Sequence, residues 1–115
     1  KNIEYYKPDK DSPEIKFLEY DDANASNFHY IVARVNSSHR DQLVHSLHQN
    51  KVFVRKYFFP GCHRLEPYVS EEKYNLYSLL KTEKISSEVI IFPNGKQVTN
   101  DDINYFKNII INFFK

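Results

Sequence analysis

The residues best suited to chemistry lie in a short segment bounded by prolines. Residues 60–68 contain four side chains that could react or bind, namely Cys62, His63, Arg64 and Tyr68. An imidazole exchanges protons near neutral pH, and a guanidinium pairs with a carboxylate or a phosphate. Because binding groups are often placed on loops that a rigid scaffold holds, we interpret this segment as the candidate site. The alternative is that His63 and Tyr68 only hydrogen-bond the loop to itself.

Other arrangements of reactive residues give weaker signals. Cys62 is adjacent to His63, and neighbouring residues rarely have the geometry that activates a thiol, so we expect a packed or merely tolerated cysteine. His45 and His48 are three residues apart on a predicted helix, but no further ligands follow at the spacing that zinc needs. We therefore predict a solvated helix face there and no metal site. Residues 54–58 mix basic and aromatic side chains, as in strands that stack nucleic-acid bases, but alternating core and surface positions are favoured.

The composition excludes several classes of function. Lys and Arg number 16 against 15 Asp and Glu, so a formal charge of +1 gives no electrostatic case for binding nucleic acid or an anionic membrane. With two glycines, the chain can build neither a P-loop nor a dinucleotide-binding loop. The sequence has no apolar run of about 20 residues and no signal region, which predicts no membrane contact. The single cysteine excludes an internal disulfide framework, and the simplest location is cytoplasmic.

The length and the first residue bear on completeness. At 115 residues the chain has room for one domain. It begins with Lys1 and contains no methionine, whereas a complete reading frame normally starts with Met. We therefore expect the chain to be part of a larger protein.

Hydrophobic periodicity predicts the elements that hold the candidate loop. We predict strands at 15–20, 28–35, 52–58 and 89–92, and helices at 39–49, at 82–87 and from residue 100 onward. Ser38, Thr82 and Thr99 are the predicted helix caps, and Ile103, Phe106, Ile110 and Phe113 form an apolar stripe. Further apolar residues outside that stripe, namely Ile109, Ile111 and Phe114, suggest burial against another domain or subunit. The order predicts an α/β (α+β) domain with helices packed on one small sheet, and leaves parallel or antiparallel pairing open.

A resemblance to a known family follows from four motifs in order. Residues 55–68, R-K-Y-F-F-P-G-C-H-R-L-E-P-Y, resemble R-[RK]-Y-F-[YF]-P-x-x-H-x-x-x-[PAY]-Y of the DegT/DnrJ-type sugar aminotransferases. Residues 50–52 resemble the N-x-V of that family, and residues 82–93 resemble T-E-x-x-[AS]-x-x-[VI]-[LI]-x-L-P. Residues 93–103 resemble P-x-G-x-x-V-T-x-x-D-I. The resemblance assigns 28–115 to the small C-terminal domain, after a lead-in segment at 1–27 with a possible short strand.

The resemblance implies a fold and a class of reaction. It implies the aspartate-aminotransferase architecture (fold type I), in which the small domain has an antiparallel sheet. Members are homodimeric pyridoxal-phosphate enzymes that transfer an amino group, usually from glutamate, to a keto sugar on a nucleoside diphosphate, in amino-sugar or polysaccharide biosynthesis. Some relatives are dehydratases. The Schiff-base lysine and most phosphate contacts belong to the large N-terminal domain of the family.

The same resemblance distributes the site residues. We expect no catalytic, cofactor-binding or metal-binding residue in this chain, and no activity or bound cofactor for the chain alone. By position in the motif, His63 is expected to face the substrate, and Tyr57 and Tyr68 are further substrate-binding candidates that could instead anchor the loop. Two alternative functions remain, namely a stand-alone α/β ligand-binding or regulatory module and a module that binds single-stranded RNA through its aromatic strand.

Overall fold

A computed structural model describes residues 14–18, 29–71 and 79–115. The described elements, in chain order, are strands β1 (Ile15–Phe17) and β2 (Ile31–Val35), helix α1 (Ser37–Gln49), helix α2 (Leu80–Glu88), strand β3 (Val89–Phe92) and helix α3 (Asn100–Phe113). Two short 3-10 turns, Cys62–Arg64 and Tyr68–Ser70, lie between α1 and α2. The lead-in before residue 14 and the predicted loop at 21–27 lie outside the described residues.

The described strands form one antiparallel sheet. Their order is β1-β2-β3, with Ile15 opposite Val35 and Ile31 opposite Phe92. In β2, buried residues alternate with more exposed ones, whereas all four residues of β3 are buried. A buried strand explains why residues 89–92 form a continuous apolar run. The predicted small α/β sheet domain is confirmed, and the pairing that the residue pattern left open is antiparallel. Strand β1 joins the same sheet as the rest, and the division at residue 28 stays a prediction.

The strand predicted at 52–58 is wrong. Only Arg55 pairs with the sheet, in an isolated bridge to Ile91 whose two backbone hydrogen bonds measure 3.0 and 2.8 Å. Val52 and Val54 are nevertheless buried, and Phe53 between them is 67% exposed. Alternating hydrophobicity reports which side chains are buried, and it does not require a ladder of hydrogen bonds. The chain turns away at residue 57, so one residue is all that aligns with β3.

The beginnings of α1 and α2 also differ from prediction. Helix α1 begins at residue 37 because Asn36 is its N-cap, and the Asn36 side chain accepts a hydrogen bond from the Ser38 backbone N at 3.0 Å. Asparagine is as good an N-cap residue as serine, so Asn36 and Ser38 were both candidates, and the helix uses Asn36. Helix α2 begins two residues before Thr82 without a side-chain cap. The predicted caps at Ser38 and Thr82 are therefore wrong.

Helix α3 agrees with its sequence signature. Thr99 and Asp102 form a capping box, in which each side chain accepts a hydrogen bond from the other residue's backbone N. Ile103, Phe106 and Ile110 are buried as the stripe predicted, and Phe113 packs against the core at intermediate exposure. Outside the stripe, Ile111 is 39% exposed, whereas Ile109 and Phe114 pack partly against the core.

The core lies between the sheet and the apolar faces of α1 and α3. Helix α1 contributes Leu43, Val44 and Leu47, which are 0 to 5% exposed, and they meet the buried residues of β2 and β3. Burying one such side chain fully stabilises the fold by about 1.5–3 kcal/mol. Among the described residues, no helix is long and apolar enough to cross a membrane.

Candidate functional site

The segment from residue 56 to residue 71 carries the candidate site and is built from tight turns. Phe59 N donates to Lys56 O at 2.8 Å, closing the first turn directly after the bridge to β3. The two 3-10 turns follow, and Val69 N donates to Leu65 O at 3.0 Å between them. We call residues 56–71 the site loop. Few of its residues are buried, so contacts at its two ends must fix its position.

A buried arginine fixes the beginning of the site loop. Arg40 is 1% exposed, and its Nη1 donates to Ser86 O at 2.7 Å and to Val89 O at 3.1 Å. Its guanidinium lies over the ring of Phe59, 4.9 Å from the ring centroid. Arg40 therefore joins α1, the junction of α2 and β3, and the site loop. Its Nε donates to Asp41 at 2.8 Å, so the charge is paired.

Sequence reasoning missed the role of Arg40. Positions 40, 43, 44 and 47 lie on one face of α1, and three of them are the apolar residues of the stripe. A charged residue in register with an apolar stripe is a signal for a buried, fully paired side chain. The sequence contains this signal, but it does not show which groups accept hydrogen bonds from the arginine.

A cluster of one carboxylate and two basic side chains fixes the middle of the site loop. Glu83 Oε1 accepts from His63 Nε2 at 3.1 Å and from Arg64 Nε at 3.0 Å. The side chains of His63, Glu83 and Arg64 are 11%, 30% and 54% exposed, so the cluster runs from the interior to the solvent. The hydrogen bonds from Arg64 and then from His63 stabilise the charged carboxylate and lower the pKa of Glu83. We call these three residues the Glu83 cluster.

Gly61 makes room for the imidazole of His63. Its φ is 103°, in the left-handed region, and a Cβ there would lie 3.0 Å from His63 Cε1 and 3.3 Å from Thr82 Cγ2. The sequence alone predicted no role for Gly61. A glycine satisfies both the backbone angle and the close approach of the ring. Nearby, Ser86 Oγ donates to Pro60 O at 3.3 Å, a second contact between α2 and the site loop.

The structure does not bring the three predicted substrate-binding residues to one groove. Tyr57 lines an open groove of about 310 Å³ together with His29, Tyr30, Phe53, Arg55, Ile91, Phe92, Pro93 and Asn94. Arg55 lies over the ring of Tyr57 at 5.6 Å and donates to its hydroxyl. His63 belongs to the Glu83 cluster, and Tyr68 lies in the second 3-10 turn, 44% exposed. Of the three, only Tyr57 lines this groove where the structure describes it.

The structure also shows the surroundings of the residues that were weaker candidates for chemistry. Cys62 is a free, exposed thiol, so it is tolerated at the surface rather than packed. His45 is exposed, as expected of a solvated helix face. His48 differs, because its Nε2 lies 2.8 Å from Val54 O and a carbonyl can only accept. Within residues 14–18, 29–71 and 79–115, no three His, Cys, Asp or Glu side chains are grouped as metal ligands.

Comparison with known proteins identifies the family. The model of the DegT/DnrJ/EryC1/StrS aminotransferase family matches residues 1–110. The crystal structure of DesI in the presence of its TDP-sugar product is 27% identical with a TM-score of 0.83, over 95% of this chain and 28% of that one. The aminotransferase TlmJ from Streptoalloteichus hindustanus is 16% identical with a TM-score of 0.76, over 96% of this chain and 29% of that one.

A more distant structure has the same fold. A putative PLP-dependent aminotransferase from Bacillus cereus is 19% identical with a TM-score of 0.57, over 75% of this chain and 22% of that one. The chain thus spans less than a third of each of these structures. No curated protein matches the sequence. The sheet and helices match part of a fold-type I aminotransferase, and the chain belongs to the DegT/DnrJ/EryC1/StrS aminotransferase family.

Proposed function

We propose that residues 28–115 are the C-terminal small domain of a pyridoxal-phosphate-dependent aminotransferase. Its substrate is a keto sugar linked to a nucleoside diphosphate, its amino donor is glutamate, and it acts in amino-sugar or polysaccharide biosynthesis in the cytoplasm as a homodimer. The observation that carries this proposal is the fold match to DesI, at a TM-score of 0.83 over 95% of the chain, together with the family match over 1–110. DesI was crystallised in the presence of a TDP-sugar, which is the product of that protein.

The described residues do not fit the cofactor itself. Pyridoxal phosphate requires a lysine in a dry pocket, where desolvation and neighbouring charges prepare the amine to form an imine. Every described lysine is exposed or at intermediate exposure. Lys16, for example, lines an open groove of about 510 Å³ beside the carboxylates of Glu14 and Glu88. We therefore assign the cofactor to a partner domain, as the family resemblance implies.

The role we assign to this chain is to close one side of the substrate cleft with the site loop. Tyr57 and Tyr68 have phenol hydroxyls that can donate to sugar or phosphate oxygens, and Tyr68 is 44% exposed. His63 uses Nε2 toward Glu83, and its second nitrogen, Nδ1, is buried beside Gly61, so a substrate hydroxyl reaches it only when the site loop shifts around Gly61. Arg40 and Glu83 hold the site loop in place before a ligand binds, which limits the entropy lost on binding.

The test uses the native polypeptide that contains this chain. Its intact mass in the source cells is measured first, and the purified protein is then incubated with pyridoxal phosphate, ¹⁵N-glutamate and a panel of nucleoside-diphosphate keto sugars. We expect a species several-fold heavier than 13.8 kDa, and ¹⁵N in the sugar nucleotide by mass spectrometry. Loss of water from the sugar without nitrogen uptake would indicate a dehydratase. A native mass near 13.8 kDa, with a saturable small ligand and no transfer, would instead support the stand-alone binding module.

A further inference from the structure

We propose that Glu83 is the positioning residue for His63, selecting the tautomer with the proton on Nε2 and leaving Nδ1 as an acceptor for a substrate hydroxyl. The assignment of a tautomer stands on geometry alone, whereas the use of Nδ1 toward substrate rests on the proposed function. Neither the family match nor the likeness to the three solved structures assigns a role to this glutamate.

The chemistry of the pair determines the tautomer. A carboxylate can only accept hydrogen bonds, so in a neutral imidazole the nitrogen that faces it must carry the proton. His63 Nε2 lies 3.1 Å from Glu83 Oε1, within hydrogen-bond range. Arg64, which has donors only, occupies the same oxygen through Nε at 3.0 Å. Arg64 therefore keeps Oε1 turned toward the loop and holds the acceptor in place for His63.

The surroundings of the ring determine its orientation. His63 is 11% exposed, and its Nδ1 is buried without a hydrogen-bond partner among the described residues. The ring lies against Gly61, at distances where a Cβ on that residue would touch both Cε1 and Nδ1 of the imidazole. A ring turned by 180° about its axis would give up the bond to Glu83. With Nε2 engaged, Nδ1 is the ring atom that has an unused lone pair.

We expect His63 Nδ1 to pair with a donor, because buried polar atoms in folded proteins are nearly always paired. A sugar hydroxyl is a donor of the right chemistry for the proposed substrate, and because Nδ1 is buried the proposal requires the site loop to shift around Gly61 when the substrate binds. The Oε1 of Glu83 is already shared by the two basic side chains, so this oxygen acts on His63 and not on the substrate. It acts through His63, in the way that outer-shell carboxylates fix the tautomer of other functional histidines.

The first experiment reads the tautomer directly. The native polypeptide is labelled with ¹⁵N-histidine, and the ring signals of His63 are assigned with the His63→Gln variant. His48 serves as an internal reference, because its bond to the Val54 carbonyl requires a proton on Nε2. We expect His63 in the same tautomer, with an unprotonated Nδ1. An Nδ1-protonated His63 in the unchanged protein would overturn the assignment.

Variants then separate positioning from folding. Glu83→Ala should convert His63 to a mixture of tautomers, whereas Glu83→Gln should keep the Nε2 proton, because the amide oxygen still accepts from Arg64 and His63. Glu88→Ala is the matched control, since Glu88 lies on the same helix but pairs with Arg34. The same tautomer in Glu83→Ala as in the unchanged protein would overturn the proposal.

The second experiment measures amino transfer by the loaded enzyme. We expect Glu83→Ala to lower kcat/KM about tenfold, the effect of one lost hydrogen bond to a charged group. The double variant with His63→Gln should be no slower than His63→Gln alone, because Glu83 acts through His63. Additive losses would overturn the proposal. A protein with the expected tautomer but no amino transfer would contradict the proposed function alone.

Discussion

Two contacts fix the site loop, and they use the same kinds of group in opposite environments. Arg40 is 1% exposed and donates mainly to two backbone carbonyls, whereas in the Glu83 cluster the carboxylate is 30% and Arg64 is 54% exposed. Two acceptors of this buried cation are the backbone carbonyls of Ser86 and Val89, which do not titrate, so these bonds do not depend on the protonation of a partner. A solvent-facing ion pair adds little to stability because water and salt screen it. We infer from this contrast that Arg40 stabilises the fold, whereas the Glu83 cluster orients the side chain of His63.

The largest effect is expected at Arg40. Arg40→Ala should lower the free energy of unfolding by about 3 kcal/mol, because it leaves the buried carbonyls of Ser86 and Val89 without a donor. Arg40→Met, which keeps much of the volume, should still cost about 2 kcal/mol for the same reason. The matched control is Arg34→Ala, whose side chain is 50% exposed and whose loss should cost less than about 1 kcal/mol. Equal losses in urea denaturation for Arg40 and Arg34 would contradict the contrast.

The next effect is expected at Gly61, where the backbone of the site loop meets His63. Gly61→Ala should cost about 2 kcal/mol, because a left-handed backbone and a contact of 3.0 Å with the imidazole must both be accommodated. Gly95→Ala is the matched control, since Gly95 also has a positive φ but its added Cβ meets only the flexible side chain of Gln97. The two variants are compared by thermal or urea unfolding. A cost at Gly61 no larger than at Gly95 would show that the ring contact adds nothing.

Acidification should separate the two contacts. The pKa of Glu83 in the folded protein lies below its ordinary value of 4.5, so its contribution is complete above pH 4.5 and is lost as the pH falls through the lower, folded value. The bonds from Arg40 to the carbonyls of Ser86 and Val89 should persist, whereas its bond to the Asp41 carboxylate weakens as that group is protonated. We expect the amides of Arg64 and Leu65, which close the first 3-10 turn, to lose hydrogen-exchange protection on acidification in that range. Glu83→Gln should remove this dependence on pH, and an unchanged profile in that variant would argue against Glu83 as its source.

The smallest effect on stability is expected at Tyr68. Tyr68→Phe should change the free energy of unfolding by less than about 0.5 kcal/mol, because the ring is half exposed and only a hydroxyl is removed. In the complete enzyme it should raise KM for the sugar nucleotide severalfold, through a lost hydrogen bond. Tyr105→Phe on α3 is the matched control and should leave KM unchanged. An unchanged KM for Tyr68→Phe would remove Tyr68 from the substrate-binding candidates.

Several elements were predictable because their signals are local. The Thr99–Asp102 capping box and the stripe through Ile103, Phe106 and Ile110 involve residues within a few helical turns, and both are confirmed. The apolar run at 89–92 predicted a buried strand for the same reason. The strand predicted at 52–58 failed because its alternation arises from burying two valines, and the turn at residue 57 prevents pairing beyond Arg55.

Local sequence patterns are enough to predict the helical stripe, the cap of α3, the buried strand and the motifs that resemble the aminotransferase family. Which partners the functional side chains meet depends on the packed fold. Arg40 meets Ser86 across 46 residues and His63 meets Glu83 across 20, and no local pattern encodes such a separation. Short-range propensity acts through neighbouring backbone groups, whereas these hydrogen bonds exist only after packing has brought α1, α2 and the site loop together.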